Sequence, residues 1–147
     1  MKVNFHFNLV QPYLPNRRIL KEFVIKLFNK EGKPLQNVDY VFCTDEFLLQ
    51  LNQDFLQHDY YTDIITFTLS APKLPIEGEI YISTERIKEN AKEYDRTSLN
   101  ELHRVMFHGA LHLCGYKDET KRQKAIMTSK EDYYLKLWNK VPRGTSA

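Results

Sequence analysis

The sequence predicts an α/β domain in which about four strands form one mixed sheet packed with helices, the chemistry lying on a helix in the C-terminal third. Segments of alternating or β-branched composition are interleaved with segments whose apolar residues recur every three to four positions, the pattern of strands and amphipathic helices sharing a core. The chain has 147 residues, and a domain of that size buries about 68–70% of the surface its unfolded chain exposes. With 42% hydrophobic and 27% charged residues, and nine Tyr and nine Phe, the composition is that of a folded protein.

Met1 to Leu9 alternates polar and apolar residues, which predicts a strand and not the continuous apolar run of a signal peptide. Pro12 and Pro15 mark a connection, after which Asn16 is placed to cap a helix carrying Ile19, Leu20, Phe23, Val24, Leu27 and Phe28, closed by Gly32 and Pro34. Val38 to Cys43 reads as a second strand, and Asp45 as the cap of a helix with Phe47, Leu48, Leu51 and Phe55. Thr62 to Leu69, stopped by Pro72 and Pro75, predicts a third strand, and Glu79 to Ser83 a fourth. From Thr84 a helix presents Ile87, Ala91 and Tyr94 on one side, and Lys88, Lys92 and Arg96 to water or a ligand. Ser98-Leu99-Asn100-Glu101 has the form of a capping box, opening a helix that runs to about Cys114, where Gly115 ends it. A last helix follows from about Thr120 to Trp138.

One domain is expected over residues 1–140 and a flexible tail over 141–147, where Val141-Pro142-Arg143-Gly144 resembles part of a protease cleavage site. No run approaches the roughly 18–20 apolar residues that span a bilayer, so a cytoplasmic protein without a membrane partner is expected. Cys43 and Cys114 lie in apolar segments without metal-type spacing and read as buried, reduced thiols. A net charge of +2 permits a nucleic-acid partner without announcing one.

The chemistry concentrates at His108-Gly109-Ala110-Leu111-His112. Two imidazoles four residues apart lie about 40° apart around a helix, so both can reach one ion. Gly115 lets the chain double back, bringing Asp118 towards the same point. Three N or O ligands with a fourth position left to water is the pattern of a catalytic zinc site. A bare pair of this kind is more often two histidines that happen to be close. Three features tilt the balance. The pair sits roughly 100–140° from the stripe Leu99, Leu102, Met106, Gly109, Ala110 and Leu113 that the helix would bury. The turn residue and an oxygen ligand follow at once, and two of the chain's five histidines fall in this one pattern. In zinc proteases of the form H-E-x-x-H a glutamate follows the first histidine as general base. Here that residue is Gly109, which argues against peptide hydrolysis.

The run His108 to Tyr116 resembles the signature H-G-x-L-H-L-x-G-Y of the YbeY family, which is usually followed by Asp-His. Leu51-Asn52, Asp59 and Thr62 to Phe67 resemble that family's L-N-x-x-Y-R-x-x-D-x-x-T-D-V-L-S-F segment, and Glu77 to Ile82 its G-D-I-x-I strand. The resemblance extends over about residues 45 to 127. It implies a zincin-like fold and a single-strand-specific endoribonuclease acting in 16S rRNA 3′-end maturation and ribosome quality control, with ribosomal RNA and the ribosome as partners and no small-molecule partner. It also implies one zinc ion on His108, His112 and Asp118. The third position departs from the family, since Lys117-Asp118 replaces Asp-His and a carboxylate replaces an imidazole.

Leu56 stands where many members carry an arginine able to grip phosphate. Candidate substitutes are His58, Arg104, one helical turn before His108, and Lys117, each of which also has an ordinary solvated or ion-paired reading. Thr62 and Asp63 read as turn and backbone-bonding residues, and Tyr116 either stacks on a base or packs on the last helix. The expected reaction is metal-assisted hydrolysis of RNA, with attack by the RNA's own 2′-hydroxyl as another route and the general acid unassigned. The rivals are another zincin-like metallohydrolase, peptidases included, and a ribosome-assembly factor whose zinc only holds the fold.

Overall fold

In the computed structural model, which describes residues 1–58 and 61–143, four strands and five helices run in the order β1 (Lys2–Phe7), α1 (Arg17–Lys30), β2 (Leu35–Cys43), α2 (Asp45–Leu56), β3 (Ile64–Thr68), β4 (Ile76–Ser83), α3 (Thr84–Glu93), α4 (Ser98–Leu113) and α5 (Lys121–Lys140). Asp59 and residues 144–147 of the expected tail lie outside the described residues. The sheet order is β1-β2-β4-β3, with β1, β2 and β4 parallel and β3 antiparallel at the edge. The mixed sheet expected from the sequence is therefore present, and no helix among the described residues is long and apolar enough to cross a membrane.

Alternation along each strand divides the sheet into two faces. Val38, Tyr40 and Phe42 of β2 and Ile80 and Ile82 of β4 are buried in the larger core beneath α1 and α4, and α5 closes that core with Met127, Tyr134, Leu135 and Trp138. The other face carries the smaller cluster of Cys43, Leu48 and Ile65 under α2. Cys43 and Cys114 are both free and buried, as expected.

Several caps differ from the sequence expectation by one residue. Thr44, not Asp45, caps α2 by accepting from Phe47 N at 3.2 Å. Asp45 is thereby released to accept from Ser83 Oγ at 2.8 Å and to pair with Arg86. Thr97 caps α4 by accepting from Asn100 N, which leaves Glu101, the presumed capping-box partner, to pair with Arg96. Asn16 precedes α1 in a left-handed conformation and makes no side-chain cap, a backbone region asparagine tolerates better than most residues.

Helix α4 is buried on more sides than the expected stripe, because Trp138 of α5 meets His103 and Phe23 of α1 meets Phe107, while the sheet meets Met106 and Gly109. Leu99 is only partly buried. The helix crosses the sheet most closely at Gly109, where an added Cβ would lie 2.8 Å from Ile80 Cγ2 and 2.9 Å from Ile64 Cδ1. A β-branched neighbour has little freedom to yield. Gly109→Ala should therefore cost about 1–2 kcal/mol of stability, overpacking outweighing the better helix propensity of alanine. A lowered urea midpoint with unchanged slope is the expected observation.

His103 stacks against Phe107 and meets the Trp138 ring edge-on at 5.3 Å, and its buried Nε2 has no hydrogen-bond partner. Burial, aided by the charge of Arg143, lowers its pKa from 6.5 to about 4. The folded protein thus favours the neutral ring, while the unfolded chain takes up a proton below about pH 6.5. Stability contributed by this residue is complete at neutral pH and is lost as pH falls towards 4, by about 2 kcal/mol at pH 5. Urea titrations at pH 5 and 7.5 should show that loss in the native chain and a smaller one in His103→Phe.

Candidate metal centre

One stripe of α4, Glu101, Arg104, Val105, His108 and His112 at three- and four-residue spacing, forms a wall of a cleft of about 640 Å³. Thr62, Asp63, Ile64 and Thr66, at and before edge strand β3, line it too, together with Asn90 and Tyr94 at the end of α3. The stripe lies to one side of Gly109 around the helix, flanked by β3 and by Glu131 of α5, with Arg104, His108 and His112 only partly buried.

Asp118 reaches this wall by a sharp reversal. Gly115 has φ +108°, a left-handed value disfavoured for residues with a Cβ, and Gly115 N and Tyr116 N donate to the His112 and Leu111 carbonyls at 2.9 and 3.1 Å. The chain then returns so that Asp118 Oδ2 lies 3.2 Å from His108 Nε2 and 3.3 Å from His112 Nε2. One donor atom from each of the three residues falls within 4.8 Å of the others.

Both imidazoles are oriented from behind. His108 Nδ1 donates to Glu131 Oε2 at 2.5 Å, and His112 Nδ1 donates to the Tyr116 carbonyl at 2.9 Å. Each ring therefore carries its proton on Nδ1 and turns its Nε2 lone pair to the common point, the arrangement by which outer partners set metal-ligating histidines. Two ligands about 2.0–2.1 Å from a tetrahedral ion stand roughly 3.3–3.4 Å apart. The two histidine–aspartate separations fit such an ion.

Glu131 is 7% exposed and also accepts from Arg104 Nη1 at 3.0 Å, while Arg104 Nη2 donates to Asp132 at 2.7 Å. Burial works against the His108 imidazolium, but the hydrogen bond it donates to Glu131 and the charges of Glu131, Asp118 and Asp63 outweigh it and hold the pKa above its ordinary value. A second carboxylate supports the other histidine at one remove. Glu31 accepts from Tyr116 Oη at 2.7 Å and from Tyr134 Oη, and pairs with Lys130. The Tyr116 ring is thus tied to α1 and α5 and does not line the cleft.

Asp63 is not only a turn residue. Its backbone carbonyl accepts from Ser83 N at 3.0 Å, and its carboxylate lines the cleft and accepts from Asn90 Nδ2 at 3.1 Å. Burial raises its pKa, although the His108 charge and the Asn90 bond oppose the shift. Of the cationic candidates, Arg104 lines the cleft with both terminal nitrogens bonded to carboxylates. His58, just beyond α2, and Lys117, which is exposed, are not among the lining residues.

Sequence reasoning did not find Glu131. The signal was present, since it interrupts the buried α5 series Met127, Tyr134, Leu135 and Trp138 at helical spacing, and an acid in a buried stripe requires a partner. Arg96, which the sequence turns to water or a ligand, lines the cleft, and so does Tyr94, which the helical pattern groups with Ile87 and Ala91.

Comparison with known proteins gives the same chemistry a context. A family model described as "Endoribonuclease YbeY" matches residues 15–139. A protein named Endoribonuclease YbeY from Cytophaga hutchinsonii is 49% identical over 127 residues, covering 86% of this chain and 89% of its own. The protein of that name from Amoebophilus asiaticus is 41% identical over 142 residues, covering 95% and 96% of the two chains. The solution structure of TM1509 from Thermotoga maritima matches 99% of this chain and 98% of its own, with a TM-score of 0.63 and 26% identity.

Glu131→Gln keeps an oxygen for Arg104 but removes the negative charge behind His108. Its expected effect is a 10- to 100-fold loss of divalent-metal affinity, read by competition with a chromogenic chelator, with the helical circular dichroism signal retained.

Proposed function

The chain belongs to the YbeY family of endoribonucleases, and on that premise we propose that it cleaves single-stranded RNA with one zinc ion held by His108, His112 and Asp118. Its family makes it an endoribonuclease of ribosomal RNA processing. The finer reading adds 16S rRNA 3′-end maturation, ribosome quality control and a cytoplasmic location at the ribosome. The observation that carries the metal assignment is the convergence of two Nε2 atoms and one carboxylate oxygen, each imidazole already bonded through Nδ1.

A bound divalent cation supplies Lewis-acid polarisation of a phosphoryl oxygen and of an attacking water, and adds two positive charges to the cleft. The chain's own groups do the rest. Its ionisable side chains in the cleft include two guanidinium groups, Arg96 and Arg104, against the four carboxylates Asp63, Glu101, Asp118 and Glu131. With all four ionised a phosphodiester would meet net repulsion there without the cation, and protonation of Asp63 lessens it. Arg104 holds Glu131, which holds His108, so its primary effect is on the position of a ligand.

Three of the four carboxylates are committed: Glu101 to Arg96, Glu131 to Arg104 and His108, and Asp118 to the two imidazoles. The Asp63 carboxyl accepts from the Asn90 amide and makes no ion pair among the described residues, and burial favours its protonated form. It is the cleft carboxyl placed to take a proton from the nucleophile or to give one to the leaving oxygen. For peptide hydrolysis the corresponding group would follow His108, but Gly109 lies against Ile80 and Ile64 and a glutamate there would meet the sheet.

Purified protein should cleave an unstructured RNA, lose that activity with chelator, and regain it with zinc. His112→Ala should be inactive, and Asp63→Asn should lower kcat by about 10²–10⁴-fold. Chelation should leave the fold largely intact, because the α4 core is built from sheet, α1 and α5. Melting of the C-terminal helices on chelation would instead indicate a structural ion and an assembly factor.

A further inference from the structure

We infer that the turn between α3 and α4 is a subsite for a nucleotide flanking the cleaved bond, where the exposed Tyr94 ring stacks on an unpaired base and Arg96 meets the adjoining phosphate. The inference deepens the RNA-cleaving reading and rests on it.

The turn presents these two side chains as one unit. Helix α3 is capped by Tyr94, Asp95 adopts a left-handed φ of 53°, and Arg96 N donates to the Ala91 carbonyl at 2.8 Å. The chain folds back so that the Arg96 guanidinium lies 5.0 Å from the Tyr94 ring centroid. Its Nη1 donates at 2.9 Å to Glu101, whose side chain is 5% exposed, and this bond pins the guanidinium to the α4 wall of the cleft. Both residues line the same cleft as His108, His112 and Asp118.

What remains unused is specific in its chemistry. Tyr94 is 56% exposed and its hydroxyl makes no hydrogen bond among the described residues, so an aromatic face stands in solvent at the cleft. Arg96 likewise retains two nitrogens, Nε and Nη2, without a partner among the described residues. Arg104, by contrast, has both terminal nitrogens occupied by carboxylates, and Leu56 cannot bind phosphate at all. A planar aromatic beside a guanidinium suits a nucleic acid whose bases are unstacked, because a duplex offers no open base face and a single strand offers one per nucleotide.

Position separates this subsite from the reacting centre. Glu101, which anchors Arg96, precedes His108 by two helical turns, about 10 Å along the axis. A group bound at Arg96 therefore belongs to a neighbouring nucleotide, and its loss weakens substrate capture without altering the chemical step.

The test compares an unstructured RNA of about twelve nucleotides with a dinucleoside monophosphate, which is too short to occupy both places. Tyr94→Leu should raise KM for the longer RNA about tenfold, the effect of one lost base–aromatic stack, with kcat unchanged. Tyr94→Phe should match the native chain, and all forms should cleave the dinucleotide alike. Arg96→Ala would strip buried Glu101 of its partner, so Arg96→Lys is the cleaner variant, and thermal unfolding should accompany each. Equal KM values for Tyr94→Leu and the native chain on the longer RNA would overturn the subsite while leaving cleavage standing. Where the native chain binds the labelled RNA by fluorescence anisotropy but does not cleave it, weaker binding by Tyr94→Leu keeps the subsite and sinks the nuclease reading. Absence of both binding and cleavage overturns both.

Discussion

The close passage of α4 over the sheet governs the rest of this structure. At Gly109 a Cβ would crowd the Ile80 and Ile64 side chains, and at Gly78 the reverse occurs, with Leu113 filling the space where a Cβ would stand. These two contacts fix both the height and the rotation of α4. Once Gly109 faces the sheet, the residues on either side of it along the helical wheel are also assigned, and the His108 and His112 pair is turned into the cleft. Function here follows from packing, since the glycine that brings the helix down also denies its own position to a catalytic carboxylate.

A centre built on a buried helix is surrounded by buried charge, and three buried carboxylates among the described residues have cationic or hydroxyl partners. Glu101 with Arg96, Glu131 with Arg104 and His108, and Glu31 with Lys130 and two tyrosine hydroxyls are all carboxylates of which 9% or less of the side chain is exposed. Buried ion pairs of this kind add little net stability over apolar residues, but removing one partner strands the other. Their value lies in direction. Glu31 sits at the C-terminus of α1, the end of a helix where a negative charge is disfavoured, and there it binds Tyr116, whose carbonyl orients His112. A locally unfavourable residue that supports a functional one is the kind of conflict expected near an active site.

How much of this was legible in the sequence depends on the range of the interactions involved. The candidate ligand set follows from local rules, helical spacing and a glycine reversal, and donor atoms of its three members lie close together. Strand and helix order were legible for the same reason. The caps were misjudged by one residue because Asp45 and Ser98 have the right chemistry locally, and only tertiary partners explain the choice: Asp45 is drawn to Ser83 and Arg86, and Glu101 to Arg96. Glu131 lies 23 residues from His108 and Glu31 lies 85 from Tyr116, separations at which no spacing rule operates. A charged residue inside an apolar helical stripe was the available sign, and it marks a need for a partner without naming one.

The departures from the family pattern can be read through the same electrostatics. An aspartate in place of a third histidine adds a negative charge to a cleft already rich in carboxylates, which strengthens attraction for a divalent cation and disfavours phosphate in its absence. Leucine at position 56 removes a cation from the opposite side of the problem. Both changes would leave the task of neutralising substrate charge to a bound cation and to whichever guanidinium keeps free donors. Arg104 is spent on holding Glu131 behind His108, and Arg96 is held by a single carboxylate at the rim. The chain thus separates its two arginines by role, one maintaining the centre and the other facing what enters it.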